Sequence, residues 1–78
     1  MDFAEALVSL KSGMKVARKS VKDDGGRIKF YLYLDGDKLM AEYSENEVMN
    51  HEFIAIRTCD ILATDWFAKA IEKTEEIK

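Results

Sequence analysis

The sequence predicts an α+β fold, a small antiparallel sheet of about four to five strands. An N-terminal helix packs on one face, and a short helical turn precedes the last strand. Three observations carry this expectation. Apolar residues recur at helical spacing over the first dozen positions. They alternate with period two over residues 27–34, and an Asp35-Gly36 pair then separates two alternating runs.

The first helix is expected over residues 2–12. Asp2 followed by Glu5 is a capping-box start, because each side chain can reach a free backbone amide of the first turn. Phe3, Ala6, Leu7 and Leu10 form one apolar stripe. Lys11 suits the negative end of the helix dipole, and Gly13 can take the left-handed position that ends a helix. Residues 14–18 read as a short strand. The polar run Lys22-Asp23-Asp24-Gly25-Gly26 marks a turn. In residues 27–34, Ile28, Phe30, Leu32 and Leu34 share one face, and Arg27, Lys29, Tyr31 and Tyr33 the other. Asp35-Gly36 suits a primed hairpin turn, which needs positive φ. The returning strand covers residues 38–44, with Leu39, Ala41 and Tyr43 alternating.

Residues 45–51 are polar and read as a loop, and residues 52–58 as a further strand carrying Phe53, Ile54, Ala55 and Ile56. Thr58 can cap a helical turn over residues 59–63, and Asp65-Trp66-Phe67 begins the last strand. The chain is thus one domain over residues 1–67, with a charged extension over 68–78 that is helical or frayed.

Composition narrows the function. The chain has 78 residues, 47% hydrophobic and 35% charged, an ordinary globular mixture. Twelve Lys plus Arg against fifteen Asp plus Glu give a net charge of −3, which argues against a duplex DNA or RNA binder with its basic stripe. A domain this small buries only about 60–65% of its unfolded surface and commonly needs a disulfide, a metal or self-association. One cysteine excludes an internal disulfide, and Cys59 with the single His51 does not make a zinc site. Self-association is the remaining support. No apolar run approaches the ~18–20 residues of a membrane span, and no signal-peptide pattern opens the chain. A soluble cytoplasmic protein without cofactor or metal is expected.

Catalytic patterns are absent: no Gly-rich phosphate loop, HExxH, CxxC or GxSxG. His51 lies between Asn50 and Glu52 in a polar stretch, the setting of a surface histidine. Cys59, beside Ile61 and Leu62, reads as a small core hydrophobe. Arg18-Lys19-Ser20 is different. Two cations and a hydroxyl at a strand end can hold a phosphate or carboxylate through charge-assisted hydrogen bonds, or simply form a solvated edge. Tyr31, Tyr33 and Tyr43 suit either base stacking or oligomer contacts. Trp66 is first a core anchor and second a ring-stacking surface.

The ends of the chain resemble a known family. Met1-Asp2-Phe3-Ala4-Glu5-Ala6-Leu7, Leu10-Lys11-Ser12-Gly13 and Lys15-Val16-Ala17-Arg18-Lys19 are similar to the start of small phage proteins described as the second Thoeris anti-defence family. Asp60-Ile61-Leu62-Ala63-Thr64-Asp65-Trp66 is similar to that family's closing Asp-Leu-Leu-Ala-x-Asp-Trp. The matches cover about 30 residues at the two ends, and the middle agrees in pattern only. The chain departs from the family at Val21, where a tryptophan is usual, and before Asp60, where a Trp-Pro-Ser piece is missing. The resemblance implies a non-enzymatic sponge acting in the bacterial host cytosol. It would be a dimer or tetramer that sequesters a cyclic ADP-ribose isomer or a cyclic oligonucleotide at subunit interfaces. By motif position, Arg18 and Lys19 would pair with phosphate oxygens and Ser20 would donate a hydrogen bond. Asp65 would accept from a ribose hydroxyl or base amine, and Trp66 would pack a ring or wall the pocket. Asp60 caps the helical turn in the simpler reading. The alternative is a self-assembling interaction module without a nucleotide ligand.

Overall fold

The computed structural model describes residues 1–70. Its elements run α1 (Phe3–Lys11), β1 (Lys15–Arg18), β2 (Tyr31–Asp35), β3 (Lys38–Glu45), β4 (Val48–Phe53), α2 (Thr58–Ile61) and β5 (Trp66–Lys69). The five strands form one antiparallel sheet in the order β4-β3-β2-β1-β5. This is the α+β architecture expected from the sequence.

Helix α1 starts as its sequence dictates. The Asp2 carboxylate accepts from the Glu5 amide at 2.9 Å, and the Glu5 carboxylate accepts from the Asp2 amide at 3.1 Å. Ala6 and Leu10 are buried against Val16, Leu32, Ala41 and Trp66. The register explains this selection. Val16 lies opposite both Leu32 and Ala68, Leu32 opposite Ala41, and Leu34 opposite Leu39, so one face collects the apolar set. Phe3, Phe30, Ile54 and Ile56 close the margins of this core.

The opposite face has no helix over it among the described residues. It carries Tyr31, Tyr33, Met40, His51, Phe53 and Phe67, placed there by the alternation of the same strands. The Tyr31 and Phe67 rings meet edge to face at 6.1 Å. The Tyr33 hydroxyl and His51 Nδ1 are 2.9 Å apart. Lys15 Nζ bridges to Glu42 at 2.7 Å on this face.

Several boundaries differ from the sequence reading. Regular pairing in the 27–34 run begins only at Tyr31. Residues 27–30 fold back on the preceding loop, through a Lys22–Ile28 bridge and a Lys29 amide bond to Val21 O at 3.0 Å. The expected loop over residues 45–51 is instead a two-residue turn followed by β4. Asn46 and Glu47 take φ of 54° and 64°, so they do what an Asn-Gly pair ordinarily does in a primed turn. The strand expected over 52–58 ends at Phe53, and Ile54 and Ile56 then lie against the core outside any named strand. The helical turn starts at Thr58 rather than being capped by it; Asp60 makes the capping contact, accepting from the Arg57 amide at 3.4 Å. Cys59 is exposed, and Ile61 and Leu62 are 46% and 74% exposed, so this turn contributes little core beyond Asp60 and Ala63. Finally, β5 includes Ala68 and Lys69, which pair with Val16 and Lys15, so the domain passes the boundary expected at residue 67. The extension over residues 71–78 lies outside the described residues.

The Asn46-Glu47 turn gives a direct test. A β-carbon in the left-handed region costs about 1–2 kcal/mol, part of which glycine gives back as backbone entropy. Glu47→Gly is expected to raise stability by up to about 1 kcal/mol, read as a higher urea midpoint at unchanged slope.

Candidate functional site

The two sequence segments that frame the chain meet at one corner of the sheet. Arg18 ends β1 and lies opposite Trp66, which begins β5, and the Lys19 amide extends that pairing by donating to Asp65 O at 3.0 Å. Helix α2 sits beside them. Arg18 Nε donates to Asp65 Oδ1 at 2.9 Å, and its Nη1 to Asp60 Oδ1 at 2.8 Å. Arg57 Nε donates to the other Asp60 oxygen at 3.0 Å. The Ser20 amide donates to Asp65 Oδ2 at 2.9 Å, and the Ser20 hydroxyl accepts from Arg18 Nη2 at 3.3 Å. The Trp66 indole N–H donates to Asp60 O at 2.9 Å, and its ring packs on Phe3 at 5.5 Å.

The electrostatics follow from this geometry. Burial alone would raise the Asp60 carboxyl, but hydrogen bonds from Arg57 and Arg18 outweigh it and hold the group below its ordinary value. Hydrogen bonding from Ser20, then from Arg18, holds the Asp65 carboxyl well below the carboxylate range.

Arg18, Lys19, Ser20, Asp65 and Trp66 are therefore neighbours. Their availability differs. Arg18 is engaged by two carboxylates, and both Asp65 oxygens are occupied, so neither meets a ligand without exchanging a partner. Trp66 is 3% exposed, which makes it a core anchor and not a ring platform within one subunit. Lys19 and Ser20 are exposed. The crevice behind the corner, lined by Arg18, Phe30, Asp60 and Trp66 among others, holds only about 10 Å³, room for a single water.

A larger concavity adjoins it, and Phe30 lines both. This open groove of about 440 Å³ lies between the 22–30 loop and the β3–β4 hairpin, and is lined by Asp23, Lys29, Phe30, Tyr43, Ser44, Glu45 and Glu52. It offers two aromatic side chains, one cation and three carboxylates. Hydrogen bonding to Glu52, aided by burial, raises the Tyr43 phenol above its ordinary value, so it remains a neutral donor near neutrality. None of these groove residues was singled out as a ligand contact from sequence except Tyr43, as a stacking or oligomer aromatic. Phe30 precedes β2 and Tyr43 lies in β3, both continuing an apolar alternation, and the signal that marks them is position. They lie where the sheet extends beyond α1, whose contacts are with β1, β2 and β5.

No protein-family model, curated protein or solved structure matches the chain. Among the described residues no helix is long and apolar enough to cross a membrane, and no group of three or more His, Cys, Asp or Glu side chains is placed to hold a metal ion.

Proposed function

We propose that this protein binds and sequesters a nucleotide-type signal, a cyclic ADP-ribose isomer or cyclic oligonucleotide, without turning it over. The observation that carries the reading is the 440 Å³ groove beside the corner where the two family-like segments meet. Small-molecule sites commonly measure ~300–1,000 Å³, with apolar walls and a few polar groups. Phe30 and Tyr43 supply walls for a base. Asp23, Glu45 and Glu52 accept from ribose hydroxyls and base amines, and Lys29 meets a phosphate. Lys19 and Ser20, exposed at the corner, contribute a further cation and a hydroxyl, in the roles the resemblance gives them. The three carboxylates disfavour a phosphate deep in the groove, so the phosphates belong at its rim, near these cations and a neighbouring subunit. A ligand of roughly 35 heavy atoms at about 0.3 kcal/mol each supplies about 10 kcal/mol, close to the ~12 kcal/mol of nanomolar capture.

The test is a binding panel. The protein is mixed with cyclic ADP-ribose isomers and cyclic di- and trinucleotides, filtered and heat-denatured, and the released ligand is identified by mass. Recovery of intact ligand is the expected result; an altered product would make the protein an enzyme. Retention of nothing at micromolar concentration would favour the interaction module, which the aromatic open face of the sheet also suits. With the ligand in hand, Tyr43→Ala is expected to weaken binding about 5- to 100-fold, the range of a lost base–aromatic stack. Lys19→Ala is expected to weaken it less at high salt than at low, as for a screened phosphate contact.

A further inference from the structure

We infer that the outer edge of β4 pairs antiparallel with the β4 edge of a second copy of this chain, joining two sheets into one. The two sheet edges are managed differently. On β5, Met1 covers the start of the strand, exchanging hydrogen bonds with Trp66 at 3.0 and 3.1 Å. On β4 (Val48–Phe53), no segment among the described residues lies outside the strand. Val-Met-Asn-His-Glu-Phe also contains no proline, lysine or arginine to blunt the edge, and its one charged side chain is Glu52.

The phase of the ladder defines what the edge offers. The Ile54 amide bonds to Leu39 O at 3.3 Å, and by alternation Glu52, Asn50 and Val48 turn their backbone groups toward β3. Met49, His51 and Phe53 therefore turn theirs outward. Their side chains stand on the open face, with Met49 55% and Phe53 69% exposed.

A two-fold axis at His51 matches this edge to itself. It sets His51 opposite the second copy's His51 and Met49 opposite the second copy's Phe53, so every outward N–H and C=O of those residues finds a partner. On the other face, Asn50 lies opposite Glu52, an amide against a carboxylate, and no like charges coincide. Centring the axis on Asn50 instead leaves the Phe53 groups facing the turn and sets Val48 against Glu52. Only the first register pairs both the backbone and the apolar side chains, and the occupant it fits is another β4. The open faces then continue from one copy to the next through Tyr33, Met40 and Phe53. The inference does not depend on a nucleotide ligand.

The test is made without nucleotide. Native mass determination on the full chain is expected to give an even-numbered assembly, and Met49→Lys with Phe53→Lys to lower the mass by half, weakening association at least ~100-fold with the far-ultraviolet spectrum unchanged. In a Cys59→Ser background, His51→Cys is expected to form an intersubunit disulfide on mild oxidation, because facing residues on the axis lie about 5.5 Å apart, while Asn50→Cys does not. A monomeric wild type, an assembly indifferent to the paired lysines, or crosslinking through Asn50→Cys in place of His51→Cys would overturn the proposal.

Discussion

Replacing Trp66 with alanine is expected to remove a large share of the protein's stability. The indole is buried against Phe3 and the α1 core residues, and its N–H is bonded to Asp60 O. Truncating a buried tryptophan costs about 3–5 kcal/mol, the sum of lost transfer energy and the cavity left behind. At 0.05–0.15 kcal/mol per residue, a domain of this length has only about 4–12 kcal/mol in all. The melting temperature should fall by roughly 15–30 °C. Trp66→Phe keeps most of the packing and loses the indole hydrogen bond, for about 1–2 kcal/mol. Thermal scans of the two variants decide what the tryptophan does. A ring whose task was to stack on ligand would lose affinity on truncation to alanine and stability in neither variant.

The same residue shows what was legible in the sequence. The capping box at Asp2 and Glu5, the alternation from Tyr31 into the Asp35-Gly36 turn, and the order of the elements depend on neighbours in the chain, and the structure contains them. What eluded sequence reasoning depends on distant partners. Asn46-Glu47 does not carry the glycine that marks primed turns, so a hairpin read as a loop. Residues 27–30 alternate like a strand, yet β1 is only Lys15–Arg18 and is paired to β5 as well, and they close onto the loop instead. Cys59, Ile61 and Leu62 are apolar, but on a helix of one turn their exposure is set by which side meets the sheet, and that side presents Asp60. At the corner, the types of side chain were readable and their pairing was not. Arg18 looks like a phosphate ligand from its neighbours Lys19 and Ser20. Its carboxylate partners, Asp60 and Asp65, lie more than forty positions away.

That pairing predicts a pH-dependent effect. Asp60 is buried, accepts from Arg18 and Arg57, and so compensates two cations at once. Asp60→Asn keeps the shape and removes the charge, and is expected to cost about 2 kcal/mol at neutral pH, below the full loss for a deeply buried pair because Arg57 is exposed. The sign with pH follows from the direction of the shifts. Asp60 and Asp65 both titrate below their unfolded values in the folded state. Their contribution is therefore complete above the unfolded carboxylate pKa of about 3.9 and is lost as pH falls through the folded values. Urea midpoints of wild type and Asp60→Asn should differ by a constant amount from pH 7 to about pH 5, then converge toward pH 2. Wild-type stability should fall over the same acid range. A gap that persists undiminished at pH 2 would mean that the cost comes from the amide NH2 of the variant, a donor set against the Arg18 and Arg57 donors, and not from the lost charge. Convergence would mean that Asp60 holds the corner through its charge, so that any anion reaching Arg18 has to displace a carboxylate that stabilises the fold.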